Sequence, residues 1–286
     1  MDVKNSFLQG ELDEEVYMTP PPGLEHIVKP GKVLKLRKVI YGLKQTPRAW
    51  YRKLSKTLLD RGFKRSEADH TLFTLQRKEG IVFILIYVDD MIISGNDKVG
   101  IQETKSYLQS VFEMKDLDTL KYFLGIEVCR AKEGLFISQR KYILDLSNET
   151  GKMDAKPAKT PLEDAYKVHQ GETEDDEPFH DPKLYRRIVG ELIYLTLTRP
   201  DLCFSVNQIS QHMQVPKKYQ WEMVDRILRY LKGTTSQGIW MGYNGSSDLV
   251  GYCDAIWASD REDRRSTTGY CTFIGGNLVT WNSKKQ

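Results

Sequence analysis

Two adjacent aspartates at the end of an apolar run are the residues best suited to do chemistry in this sequence. Ile81 to Val88 reads IVFILIYV, Asp89-Asp90 follows at once, and a second apolar run, Met91-Ile92-Ile93, comes next. Strand, two acids, strand is a hairpin with two carboxylates at its tip. Aspartate serves turn geometry in many hairpins, so a structural reading stands beside the chemical one. Against it, paired carboxylates next to an apolar strand are costly unless a cation neutralises them. Mg²⁺ suits that task, because it binds carboxylate and phosphate oxygens while keeping several waters. Two-metal nucleotidyl transfer needs ions about 3.5–4 Å apart, held by carboxylates on a rigid strand edge. A third carboxylate from another segment would complete the cage, and Asp2 is the candidate.

Charge distribution gives a second signal. Residues 28–65 hold thirteen Lys/Arg against one acid, Asp60, interleaved with Tyr41, Trp50 and Tyr51. Such a run is either a solvated helix face or a surface that tracks phosphates, and the aromatics suit the second reading. Lys35, Arg37 and Lys38 are its candidate phosphate contacts. Residues 163–181 are the opposite, with eight acids against Lys167, and include Gly171 and Pro178. That composition buries little and predicts a linker dividing the chain.

The elements that must position these residues follow from periodicity. A length of 286 residues predicts about two domains. Thr46-Pro47 opens a helix with a capping hydroxyl; Trp50, Leu54 and Leu58 form its apolar stripe and Gly62 stops it. Residues 71–76 pair with 81–88 across Arg77–Gly80, and the unbroken apolar run predicts a strand covered on both faces. A helix over 98–113, strands at 121–130 and 135–138 turning at Glu133-Gly134, and a helix at 140–149 complete the first part. Helices over Tyr185–Leu197, Asp201–Met213 and from Pro216 to Gly233 follow, the last with Trp221, Val224, Leu228 and Leu231 on one face. The end of the chain switches to strands at Leu249–Asp254, Thr268–Ile274 and Leu278–Trp281. Hydrophobic residues make up 40% and charged residues 28%, enough for buried cores under a polar surface. With mean hydropathy −0.49 and no long apolar run, no membrane span is expected. The opening MDVKNSFLQGELDEE has no signal-peptide block, so an intracellular location is expected. Cys129, Cys203, Cys253 and Cys271 show no paired spacing and are expected as reduced core thiols.

The motifs resemble a known family taken in order. MDVKNSFLQGELDEEVYM (1–18), YGLKQTPRAWY (41–51), YVDDMIISG (87–95) and KYFLGIEV (121–128) are similar to successive motifs of copia-type reverse transcriptases. YRRIVGELIYLTLTRPDL (185–202), ILRYLKGT (227–234) and GYCDAIWASDREDRRSTTGYCTFIGG (251–276) resemble that family's connection region and the start of its RNase H domain. The resemblance covers nearly the whole chain. It implies an α+β fold: a reverse-transcriptase palm with partial fingers over 1–162, an acidic linker over 163–182, a helical connection over 183–234, and an incomplete RNase H-like sheet over 235–286. It implies template-primer and dNTP as partners and two Mg²⁺ ions as cofactors.

Roles transfer by matching position. Asp2, Asp89 and Asp90 resemble the palm carboxylates, with Asp2 and Asp89 as direct metal ligands. Phe7 resembles the aromatic gate that rejects a ribose 2′-hydroxyl; its spacing alone would make it a core aromatic. Gln45 resembles the contact to the incoming nucleotide. Leu124-Gly125 resembles the primer grip, and Lys115 is a candidate helper of pyrophosphate departure. Asp254 resembles the first metal ligand of RNase H. The family reads Asp-Ala-Asp-Trp there and this chain reads Asp254-Ala255-Ile256-Trp257. The other RNase H ligands of the family would follow Gln286, and its upstream finger residues would precede Met1. With a free, cationic α-amine beside Asp2 as well, the chain as given is expected neither to polymerise nor to cleave RNA.

Overall fold

The computed structural model describes residues 1–29, 31–163, 177–260 and 263–286. The chain falls into two compact units, Met1–Leu120 and Lys121–Gln286. The expected acidic linker lies largely outside the described residues.

The first unit is built on a six-stranded sheet. Its elements are β1 (Asp2–Val3), β2 (Tyr17–Met18), β3 (Leu34–Lys35), α1 (Thr46–Asp60), β4 (Lys64–Arg65), β5 (Leu72–Gln76), β6 (Ile81–Tyr87), β7 (Asp90–Gly95), α2 (Lys98–Val111) and β8 (Met114–Lys115). The order across the sheet is β4-β5-β6-β7-β1-β8, and β2 and β3 form a separate ribbon. Helix α1 ends just before Gly62, whose φ of 95° stops it. Contrary to the sequence expectation, the Thr46 hydroxyl does not cap α1; it donates to the Ile40 carbonyl at 2.7 Å, and the N-cap residue is Gln45. Helix α2 does have a side-chain cap, with Asp97 accepting from the Gly100 amide at 2.8 Å.

Strand β6 corrects the expectation of burial on both faces. Val82, Ile84 and Ile86 are buried with Trp50, Leu54 and Leu58 of α1 and Leu108 of α2 in one core. Phe83 and Tyr87, on the other face, are exposed. Among the described residues of this unit, helices cover one face of β6, and the other face is exposed at Phe83 and Tyr87.

The second unit contains β9 (Tyr122–Phe123), β10 (Ile126–Arg130), β11 (Gly134–Ser138), α3 (Arg140–Glu149), α4 (Pro182–Leu195), α5 (Cys203–Ser210), α6 (Lys218–Gly233), β12 (Gly238–Gly242), β13 (Leu249–Ile256), β14 (Thr267–Ile274) and β15 (Asn277–Lys285). The strand expected over 121–130 is in fact a hairpin, β9 and β10, folded at Leu124-Gly125. Strand β12, too short and glycine-bracketed to stand out in sequence, pairs with β11 in the sheet β12-β11-β10-β9. Strands β13, β14 and β15 form a separate antiparallel sheet. The helix expected over Asp201–Met213 is shorter, a 3₁₀ turn at Pro200–Leu202 leading into α5.

The helical core packs α4, α5 and α6 through Ile188, Leu192, Val206, Ile209, Val224 and Leu228. Arg199 is buried inside it, 1% exposed. Its guanidinium forks onto Asp201 at 2.9 and 2.7 Å and reaches the Thr234 carbonyl at 3.0 Å and hydroxyl at 2.8 Å. Tyr230 donates to the same Asp201 carboxylate at 2.9 Å. Burial would raise the Asp201 pKa, but the hydrogen bonds and charge of Arg199, with Tyr230, hold it below its ordinary value. The four cysteines are free, as expected, but none is buried: Cys129 and Cys253 are exposed and the other two half-buried. No helix among the described residues is long and apolar enough to cross a membrane.

Candidate active site

The β6–β7 hairpin brings the expected carboxylates together. Tyr87 pairs with Asp90, so the turn is the two residues Val88 and Asp89. Asp90 pairs with Asp2 of β1, and Asp2 pairs on its other side with Lys115 of β8. Paired residues share a face, so Tyr87, Asp90, Asp2 and Lys115 form one row on the open side of the sheet. The same register puts Val3 on the opposite face, buried in the core.

The turn itself is strained. Val88 sits at φ 57°, a left-handed conformation that a β-branched residue rarely adopts and that costs about 1–3 kcal/mol. Two contacts hold it. The Trp50 indole N–H donates to the Val88 carbonyl at 2.6 Å, and the Val3 amide donates to the Asp89 carbonyl at 2.9 Å. Beside them the Met91 amide donates to the Met1 carbonyl at 2.8 Å, and the Met1 α-amine donates to the Met91 carbonyl at 2.7 Å.

Electrostatics marks the same spot. Burial first, then the charges of Asp89 and Asp2, push the Asp90 carboxyl above its ordinary value, with the Met1 amine opposing. Burial lowers the Met1 amine below its ordinary value, although Asp116, Asp90 and Asp2 pull the other way. Asp116 is drawn down, chiefly by the Lys105 hydrogen bond at 2.9 Å.

Hard carboxylate oxygens gathered against mutual repulsion are a donor set that suits Mg²⁺. Even so, among the described residues no three His, Cys, Asp or Glu side chains form a ready-made cage for an ion. Asp2, Asp89 and Asp90 are the residues that would hold one, after side-chain rotation. Asp89 is exposed at the turn.

The other expected residues are placed as follows. Phe7 lies in a 3₁₀ turn, Ser6–Gln9, packed edge-on against Tyr41 with ring centroids 5.4 Å apart. That turn reaches α1 only because Gly10 lacks a side chain: a Cβ there would meet Val39 at 2.7 Å. Gln45 is the N-cap residue of α1, half-buried. Lys35 is already paired with Glu15, whereas Arg37 and Lys38 are exposed. In the second unit Leu124 (φ 48°) and Gly125 (φ 78°) form the β9–β10 turn. The Tyr194 hydroxyl of α4 donates to the Leu124 carbonyl, and its ring lies 3.2 Å from where a Cβ on Gly125 would stand. Asp254 is exposed on β13, its carboxylate accepting from the Ala255 amide at 2.8 Å.

Sequence reasoning missed Trp50 as a partner of the turn, Tyr194 as a partner of Leu124, and the Arg199–Thr234 link. Trp50 reads as one more stripe residue of α1, and no periodicity shows which way an indole N–H points.

A helix-backed antiparallel sheet with acids at a hairpin tip is the frame expected of a templated polymerase palm. Residues 1–164 match the family described as "Reverse transcriptase (RNA-dependent DNA polymerase)". The chain belongs to that family. Within it, the similarity is to copia-type Pol polyproteins. The chain is 46% identical over 288 residues to the retrovirus-related Pol polyprotein from transposon RE2 of Arabidopsis thaliana, an alignment covering 100% of this chain and 19% of that protein. It is 38% identical to the Pol polyprotein from transposon TNT 1-94 of Nicotiana tabacum, over 100% of this chain and 22% of that one. A transposon Ty5-1 protein of Saccharomyces cerevisiae is 32% identical over 100% of this chain and 92% of its own length. The chain thus corresponds to a segment of a copia-type Pol polyprotein, spanning about a fifth of such relatives.

Proposed function

We propose that the open face of the first unit is the palm with which a Pol polyprotein carries out RNA- and DNA-templated DNA synthesis, with Asp2, Asp89 and Asp90 as the catalytic carboxylates. The observation that carries this is the register: Asp90 and Asp2 are cross-strand partners beside the Asp89 turn. In the reaction a primer 3′-hydroxyl attacks the α-phosphate of a dNTP and pyrophosphate leaves. Two Mg²⁺ ions, when bound, would neutralise the charge that develops on the attacking and leaving oxygens. The strands fix the backbone of Asp2 and Asp90, and the tied turn at Val88 holds Asp89 at the tip of the hairpin. Phe7, backed by Tyr41, is the sugar gate, and Gln45 the contact to the incoming nucleotide. Lys115, paired with Asp2 in register, would assist pyrophosphate departure. The Leu124-Gly125 turn is the primer grip, and Arg37 and Lys38 are phosphate contacts along template-primer. Asp254 is the first ligand of an RNase H-like site.

Primer extension by purified protein in Mg²⁺ and in Mn²⁺, beside Asp89→Asn, tests this reading. Extension that the substitution abolishes supports it. Retention of template-primer with no extension in either metal would leave only nucleic-acid binding, through residues 28–65.

A further inference from the structure

We propose that Trp50 is a positioning residue for the hairpin carboxylates: its indole N–H holds the Val88 turn left-handed and so fixes where Asp89 and Asp90 stand. Its importance to the reaction depends on the reading of those aspartates given above, while its effect on the turn does not. Trp50 is 2% exposed, packed edge-on against Phe112 at 5.2 Å, so its N–H is out of reach of bulk water and must find a partner in the fold. The partner is the Val88 carbonyl, 38 residues away in sequence. A two-residue hairpin loop asks for positive φ at its first residue, but the branched Cβ of Val88 crowds the backbone at φ 57°. Against that crowding, both peptide groups of the turn are tied, from different sides. Carbonyl 88 is tied to α1 through Trp50, and carbonyl 89 to β1 through the Val3 amide. Loss of the first tie lets Val88 relax to negative φ, which swings the following residue, Asp89, out of line with Asp2. This links the YGLKQTPRAWY and YVDD motifs physically: the first supplies the donor that the second needs.

The experiment uses the full chain as Trp50→Phe, Val88→Gly and the two combined. Hydrogen exchange is read by NMR at the Val3 and Met91 amides, whose acceptors are the Asp89 and Met1 carbonyls. Trp50→Phe is expected to speed their exchange about tenfold, the loss of one hydrogen bond to a backbone carbonyl. Glycine adopts positive φ without cost, so Val88→Gly alone should leave exchange within about twofold and should largely restore protection in the double variant. A tryptophan that serves packing alone would show loss of protection spread over α1 and α2 and no rescue by glycine, and that result would overturn the proposal. Should Trp50→Phe fail to fold, benzothienylalanine at position 50 keeps the shape and replaces the indole N–H by sulfur. Unchanged exchange in that variant would likewise overturn it. Mn²⁺ binding followed by electron paramagnetic resonance, in wild type and Asp89→Asn, reports on the carboxylate site separately. Absence of Asp89-dependent binding would remove that reading of the site and leave the exchange data to decide the role of Trp50.

Discussion

The carboxylate row should make the first unit less stable than it could be, and Asp90→Asn measures by how much. Asp90 faces Asp2 across the β1–β7 pair and is followed outward by Asp89 at the turn, while the Met1 amine is the nearby cation. Like charges directly opposite on paired strands destabilise by about 0.2–1 kcal/mol. Asp90 is only partly buried, so solvent screening keeps the value toward the lower end, and the lost attraction to the amine reduces it further. A net gain of about 0.2 kcal/mol follows for the asparagine variant, a rise in Tm of about 1 °C for a unit of this size. The sign of the pH dependence follows from the raised folded-state pKa. The folded chain binds the Asp90 proton more tightly than the unfolded chain does. The penalty is therefore absent below the unfolded value near 3.9, grows as pH rises toward the folded value, and is complete above it. The variant should match wild type at low pH and melt higher at neutral pH. Mg²⁺ at ten times its Kd should stabilise wild type by about 1.4 kcal/mol and the variant by far less. Thermal melts followed by circular dichroism, with and without Mg²⁺, supply the assay. A variant that melts at or below wild type at neutral pH, or Mg²⁺ shifts equal in both, would refute the reasoning.

Three further outcomes are expected. Asp201→Asn leaves the buried Arg199 without its counter-charge and should cost about 3 kcal/mol in urea unfolding, near the low end for a broken buried pair because Thr234 still accepts. Because Asp201 is held below its ordinary pKa, that gap should persist above about pH 4 and close as pH falls through the folded value. Arg37→Gln and Lys38→Gln should each lower the slope of log K against log salt by about 0.9 on duplex template-primer, measured by fluorescence anisotropy, whereas Lys35→Gln should change it little because Glu15 already neutralises that charge. Gly125→Ala places a methyl against the Tyr194 ring and strains φ 78°; it should destabilise the second unit by about 1 kcal/mol or more in urea unfolding, and Tyr194→Ala should relieve part of that cost by removing the ring.

What was legible in sequence, and what was not, divides on physical lines. The acids at the β6–β7 turn were legible because a strand-length apolar run ended in them, and the stripe of α1 because Trp50, Leu54 and Leu58 recur at helical spacing. The open face was not legible. Periodicity separates strand from helix, but IVFILIYV carries no polar residue to show which side lacks a helix, so one-sided burial looked like two. The β9–β10 turn was hidden for a similar reason: Phe123, Leu124 and Ile126 read as one strand, although Gly125 supplies the positive φ at which it folds. The Thr46 cap failed because its hydroxyl had a nearer acceptor, the Ile40 carbonyl, that belongs to a loop no pattern predicts.

The resemblance assigned roles to residues that touch substrate in the family, and the structure adds the residues that seat them, each drawn from another motif of the same unit. Val88 of YVDD is held by Trp50 of YGLKQTPRAWY. Leu124 of KYFLGIEV is held by Tyr194 of YLTLTRPDL, whose own Arg199 closes on Thr234 of LKGT. A left-handed valine, a glycine pressed on a tyrosine ring and a buried guanidinium are each unfavourable alone, and each becomes affordable only when its partner is present. Pairs of this kind couple motifs that lie tens of residues apart. A substitution at Trp50, Tyr194 or Thr234 should therefore act on the residue it seats, with double-variant cycles showing coupling of about 0.5–3 kcal/mol. Pairs drawn across motifs without such a contact, Trp50 with Thr234 for one, should be additive within about 0.5 kcal/mol.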